Sequence, residues 1–186
     1  MGLARDVGRN IGKVMAPLRA GVDKLASRKL GNGELRSQTL AVSSSAFSEG
    51  GAIPTDYTAD GGGYAPPVAW ANVPESARSM VLVCEDPDAP MPKPFVHWLV
   101  YGLPAAVSSL ESAPAFGREG KNSTMKAGYT PPAPPPGHGP HRYHFQVFAL
   151  DTILELEPGA GRTALVDAMR GHVLAWGETV GTYERS

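Results

Sequence analysis

The sequence predicts a mainly β protein: a sandwich of two antiparallel sheets with a C-terminal helix and an added N-terminal amphipathic helix. Three observations predict it. Gly 22 and Pro 18 of 186 residues exceed a fifth of the chain, a share that favours turns and short strands over long helices. From His141 to Leu150 the residues alternate, with His141, Tyr143, Phe145, Val147 and Ala149 on one face and Arg142, His144, Gln146, Phe148 and Leu150 on the other. Met80 to Cys84 is apolar at every position, as in a central strand covered on both sides.

In chain order, Leu3, Val7, Ile11, Val14, Leu18, Val22 and Leu25 recur at spacings of four and three, one apolar stripe on a helix. Pro17 kinks that helix or starts a second one. Gly2, Gly8, Gly12 and Gly21 weaken it, so it is not stable alone in water and its stripe needs a partner. Docking on the body is the first expectation. A homodimer through this helix and a weak membrane-surface contact are the others. Gly31 to Gly33 reads as the hinge, so residues 1–33 form a basic helical extension and 34–186 the β domain.

Beyond the hinge, Thr39 to Val42, Ala46 to Phe47, Val68 to Trp70, Arg78 to Glu85 and Phe95 to Tyr101 are strand candidates, with Asp60-Gly-Gly-Gly a strong breaker. Ala105 to Ala127 reads as an irregular excursion. Pro131, Pro132, Pro134, Pro135 and Pro136 then make a stiff extended loop that ends in a glycine turn at Gly137 and Gly139. Ile153 to Leu156 is a short strand or a helix entry. Thr163 is the expected N-cap of a helix carrying Leu165, Val166, Met169, Val173 and Leu174.

The 42% hydrophobic content supports a real core, and the formal charge of −1 gives no reason to expect nucleic acid. The charge is uneven: residues 1–30 hold seven Lys and Arg against Asp6 and Asp23, while the remainder is mildly acidic. A single cysteine, Cys84, excludes an intramolecular disulfide and reads as a buried structural thiol. No apolar run approaches the roughly 18 residues that span a bilayer, and the basic N-terminus lacks the apolar segment of a secretory signal. A cytoplasmic location is expected.

Three pieces set polar groups beside strands: Glu85-Asp86-Pro87-Asp88-Ala89-Pro90, His97-Trp98, and Gly137-His138-Gly139-Pro140-His141-Arg142-Tyr143. Each also has a plain structural explanation: turn capping by carboxylates, a satisfied core histidine, and a proline-rich connection before a core strand.

Together these pieces resemble the phosphatidylethanolamine-binding protein family, in particular its small bacterial Raf-kinase-inhibitor-like branch, over roughly Gln38 to Tyr183. The most specific matches are D-P-D-A-P at Asp86 to Pro90, H-W at His97, and the glycine-spaced H-R-Y-x-F run ending at Phe145. The resemblance implies a small anion pocket formed by Asp86, His97 and His141, with Asp88, Pro90, Gly139 and Tyr143 close by. It implies a non-catalytic protein without a cofactor that binds a phosphate-type small anion or phosphorylated headgroup, with a kinase-inhibitor-like regulatory role. Imidazoles, loop amides and Tyr143 can donate to phosphate oxygens, and affinity should rise as pH falls through about 6.5. Asp86 would either hold a histidine tautomer or receive an ammonium group. The chain departs from the family pattern at Ala65, where a small hydroxyl residue is usual, and in the short connection from Pro90 to His97.

Two other function classes compete. A metal-assisted hydrolase could draw on Asp86, Asp88, His97, His138, His141 and His144, although strand spacing turns His141 and His144 to opposite sides. An interaction protein could keep the pocket as structure alone. No nucleophile elbow, phosphate-binding P-loop or dinucleotide fingerprint is present.

Overall fold

The computed structural model describes residues 10–15, 17–31, 40–111 and 114–185. A helical stretch over residues 10–15 (α1) leads through a 3-10 turn at Val22–Lys24 into α2 (Ala26–Leu30). The strands follow as β1 (Ala41–Ser43), β2 (Val68–Ala71), β3 (Ser79–Asp86), β4 (Phe95–Pro104), β5 (Ser109–Leu110), β6 (Arg118–Glu119) and β7 (His141–Leu150). Helix α3 (Arg162–Met169) and strand β8 (Val173–Tyr183) complete the chain.

Among the described residues these strands pair antiparallel with one another, in a three-stranded sheet ordered β1-β2-β5 and a five-stranded sheet ordered β6-β4-β3-β7-β8. Strand β3 lies at the centre of the larger sheet, and all eight of its residues are buried. The alternation read along β7 divides the core in two. Tyr143, Phe145, Val147 and Ala149 join Met80, Leu82, Cys84, Trp98 and Val100 against Val68 and Trp70 of the small sheet. Phe148 and Leu150 join Val81, Val83, Leu99 and Tyr101 on the opposite face, which α2 and α3 cover through Ala26, Leu30, Leu165, Val166 and Met169.

Several expectations are corrected. Helix α3 starts at Arg162, with Gly161 rather than Thr163 at its N-cap, and ends at Met169. Val173 and Leu174 open the eleven-residue strand β8, which pairs along all of β7. Arg170 already has an extended conformation (φ −60, ψ 130), and Trp176, Thr179, Val180 and Tyr183 are residues that pack well on a pleated surface. Ala46 to Phe47 forms a bend, and Ile153 to Leu156 is neither strand nor helix. The excursion from Ala105 to Ala127 contributes the short strands β5 and β6.

The N-terminal stripe behaves differently from its expectation. Leu3, Val7 and the Asn32–Gly33 part of the hinge lie outside the described residues. Leu25 is buried, but Ile11, Val14, Leu18 and Val22 are 53%, 78%, 56% and 40% exposed. The buried residue of α1 is Gly12. A side chain there would overlap the Pro136 carbonyl oxygen and approach the His138 amide nitrogen to 3.0 Å. So α1 docks through its glycine face, because only a residue without Cβ lets its backbone come this close to the proline loop.

Candidate functional site

Three strand ends meet at one corner of the sandwich: the C-terminal end of β3, the start of β4 and the start of β7. Asp86 closes β3 and braces the turn that follows. Its Oδ1 accepts the amides of Asp88 (2.8 Å) and Ala89 (3.1 Å). Its Oδ2 lies 2.7 Å from His141 Nδ1. These partners all belong to the protein itself, an arrangement in which Asp86 orients His141.

The proline loop fixes the second histidine. Thr130 and His97 exchange backbone and side-chain bonds, with Thr130 N donating to the His97 carbonyl at 2.8 Å and His97 Nδ1 2.6 Å from the Thr130 oxygen. At the other end Gly137 and Gly139 have φ of 78° and 91°, which few side-chain-bearing residues adopt. That turn folds His138 back onto His141, with His138 Nδ1 2.7 Å from His141 Nε2. His138 Nε2 in turn lies 2.8 Å from the Met15 carbonyl oxygen of the arm. A four-member chain therefore runs Asp86, His141, His138, Met15.

His97 and Tyr143 flank this chain, with ring centroids 5.0 Å apart. Burial pushes the His97 pKa below its usual value, outweighing the Asp86 charge and the Thr130 carbonyl, while His141 pushes in the same direction as burial. Because Thr130 takes the Nδ1 proton, neutral His97 presents Nε2 as an acceptor. Burial, aided by the Asp86 charge, raises the Tyr143 pKa strongly and keeps the phenol as a hydrogen-bond donor.

Asp88 has a separate role. It makes a two-point pair with Arg142, Nε to Oδ2 and Nη2 to Oδ1, both at 2.8 Å, and accepts the Arg142 amide at 2.9 Å. Arg19 of the arm adds an ion pair at 3.0 Å. Burial pushes the Asp88 carboxyl up, but the Arg142 hydrogen bonds and the Arg142 and Arg19 charges outweigh it and hold the pKa at about 2.

Of the seven expected site residues, Asp86, His97, His141 and Tyr143 converge, with Gly139 shaping the turn. Asp88 and Pro90 belong to the β3–β4 connection that the arm straps: Ala20 N and Gly21 N donate to the carbonyls of Ala89 (3.0 Å) and Pro87 (2.9 Å), and Lys24 Nζ reaches the Pro92 carbonyl at 3.1 Å. His138, Arg142 and Arg19 were not expected in the anion site. The signal for His138 was present in G-H-G-P-H, since a glycine turn can bring residues three apart together. His144 faces the other side, 3.0 Å from Glu178, so the six-residue metal set is divided between two faces. Among the described residues no group of three or more His, Cys, Asp or Glu is arranged to hold a metal ion. Ala65 lines a neighbouring cleft of about 600 Å³ with Trp98, Glu119 and Tyr129.

The corner is closed. Asp86, Asp88, His97, His138, His141 and Tyr143 are each at most 4% exposed, and Gly12, Met15, Arg19, Ala20 and Gly21 of the arm touch the loops on both sides.

Comparison with known proteins agrees with this architecture. The family described as phosphatidylethanolamine-binding protein matches residues 43–184. A UPF0098 protein of Methanothermobacter thermautotrophicus is 43% identical over 147 residues, covering 75% of this chain and 95% of its own. A UPF0098 protein of Chlamydia trachomatis is 42% identical over 151 residues, covering 78% and 99%. Among solved structures, a phosphatidylethanolamine-binding protein homolog from Chlamydia trachomatis superposes with a TM-score of 0.75 at 39% identity, covering 81% of this chain and 100% of its own. The YbcL protein of E. coli superposes at 0.73 with 29% identity, covering 80% and 99%. In the described residues no helix is long and apolar enough to cross a membrane. The fold, the matched span and the relatives together make this chain a member of the phosphatidylethanolamine-binding protein family, in its bacterial and archaeal branch.

Proposed function

We propose that the protein is a non-catalytic binder of a phosphate-type anion, held at the corner where β3, β4 and β7 end. One observation carries this reading: a buried Asp86–His141 pair at 2.7 Å, with two further imidazoles and a phenol around it. Asp86 fixes the His141 ring, and the Tyr143 hydroxyl and a His138 N–H supply donors for anionic oxygens. His97 Nε2 accepts the proton of a singly protonated phosphate. These groups are oriented in advance by the β3–β4 turn and the proline loop. No residue in the cluster is an activated nucleophile. Entry requires the arm to leave its seat over the Pro136–His138 turn.

The test is an NMR titration of the full-length protein with inorganic phosphate and with phosphorylethanolamine, following backbone and imidazole signals of Asp86, His97 and His141. Saturable, concerted shifts are expected, and they should disappear in His141→Ala with its circular dichroism unchanged. A His141→Ala protein that binds as tightly as the parent rejects the assignment. Comparing the two ligands separates recognition of the phosphate alone from recognition of the whole headgroup.

A further inference from the structure

The arm has two parts that are held in different ways. Residues 20–31 are rooted. The Ala26 amide donates to the buried Glu85 carboxylate at 2.7 Å, the Ser27 amide donates to Gln146 Oε1 at 2.9 Å, and Ala26 and Leu30 belong to the core under α3. Residues 10–15 and 17–19 lie on top of the site, with Ile11, Val14 and Leu18 each more than half exposed. What holds them is the close approach of Gly12 to Pro136, the Met15 carbonyl on His138, and Arg19 on Asp88 and the Pro140 carbonyl.

Proton counting along the chain explains what the Met15 bond demands. The chain has three links: Asp86 to His141 (2.7 Å), His141 to His138 (2.7 Å) and His138 to Met15 (2.8 Å). Its ends are a carboxylate and a backbone carbonyl, and neither supplies a proton when Asp86 is ionised. Three links need three protons, and two neutral imidazoles carry two. All three bonds exist together only when the chain holds one additional proton. Without it, either His138 Nε2 faces the Met15 oxygen as lone pair against lone pair, or an equivalent conflict moves to another link.

We infer that residues 10–15 and 17–19 are a proton-linked lid on the anion site, shut by the bond from His138 Nε2–H to the Met15 carbonyl and opened when an anionic oxygen takes that donor or when the additional proton leaves. That the competing oxygen is a phosphate's rests on the function proposed above. The proton count and the seat of Gly12 do not.

The surrounding charges are paired, and the Asp88 group, one carboxylate between two guanidiniums, keeps one net positive charge. Asp88 of the β3–β4 turn is paired with Arg142 of β7 and Arg19 of the arm. Arg185 meets the corner through its carbonyl, on Gly137 N, and its guanidinium pairs with Asp60. His97 of β4, Tyr143 of β7 and Cys84 of β3 stay neutral, with burial the leading cause for each. Lys24 of the arm is held on Pro92. Asp86, in direct contact with His141, is the negative charge that retains the additional proton. The closed form binds more protons than the open one, so closure is favoured at low pH and lost as pH rises.

Gly12→Ala tests the lid without touching any ring. Its methyl group cannot share space with the Pro136 carbonyl, and alanine is the better helix former, so loss of docking cannot be ascribed to loss of α1. In the full-length parent, the backbone amides of residues 12–15, 18 and 19 and the ring nitrogens of His138 should move together in one common pH-dependent transition. The Gly12→Ala protein should show the high-pH arm signals throughout and bind inorganic phosphate about tenfold more tightly or better at pH 6, as removal of a competing closed state requires. Arm signals indifferent to pH, or a Gly12→Ala protein with the parent's arm signals, overturn the lid. If Gly12→Ala opens the arm and phosphate still causes no shift at His97 and His141, the lid stands and the phosphate reading falls.

Discussion

Glu85 and Asp86 are neighbours in β3, and their carboxylates serve opposite faces of the sheet. Glu85 turns toward the helical layer, where it accepts the Ala26 amide at 2.7 Å and the Gln146 amide at 2.8 Å and pairs with Arg162. Asp86 turns toward the histidine corner and holds His141 at 2.7 Å. The two-residue period of a strand thus lets one dipeptide anchor the root of the arm and organise the site that the arm covers.

Glu85 is fully buried, so Glu85→Ala leaves the Arg162 charge and the Ala26 amide without their acceptor. Breaking one side of a buried ion pair costs about 3–5 kcal/mol. Urea denaturation should show a loss of that order, and trypsin should cut the arm at Lys24 or Arg28 much faster than in the parent. Glu85→Gln keeps an acceptor for Ala26 and should lose less. Equal stability of Glu85→Ala and parent would mean that the root is not held here.

Asp86→Asn keeps an oxygen for the Asp88 and Ala89 amides but removes the charge facing His141. Hydrogen bonds to charged groups contribute about 1.5–3 kcal/mol, and a loss in that range is expected from denaturation at pH 6. The pH transition of the arm should vanish with it. Retention of the transition in Asp86→Asn would place the additional proton elsewhere.

Asp88 titrates at about 2 in the folded chain against an ordinary value of 3.8. A depressed carboxyl stabilises the fold fully above its unfolded pKa and loses that contribution as pH falls through the folded one. The window is therefore about pH 4 down to 2, and the contribution is about 2 kcal/mol. Denaturation curves of parent and Asp88→Asn should converge as the pH is lowered across it. A constant gap between them would show that the pair with Arg142 is not the source.

His97 carries the opposite proton logic. Its pKa lies below the ordinary 6.5, chiefly because it is buried, so the unfolded chain takes up a proton more readily than the folded one. Its neutral ring favours the fold above about 6.5, and that advantage falls as pH drops below it. His97→Gln should flatten the stability profile between about pH 6.5 and the folded pKa. An unchanged slope would assign the acid sensitivity to another group.

The local parts of the fold were legible residue by residue. Alternation from His141 and the unbroken apolar run in β3 prescribe which side of a sheet each side chain faces, and the structure keeps both. The D-P-D turn and the proline loop were equally readable, since proline and short acidic side chains restrict the backbone wherever they occur. Strand β8 was not readable, because Val173 and Leu174 continue the spacing of α3 and only pairing with β7 decides between the two periods. Nor was the face on which α1 docks. Its apolar stripe points outward, and the fit of Gly12 against Pro136 depends on a loop more than a hundred residues away.

The residue types at the corner, and their place at the ends of β3, β4 and β7, follow from the chain's own pattern. Which of them touch does not. Asp86 meets His141 across 55 positions, and Met15 meets His138 across 123. Periodicity and turn chemistry act over a few residues. A hydrogen-bond chain between an arm, a turn and a strand exists only after the sheets have brought those elements together, and the tertiary structure alone decides it.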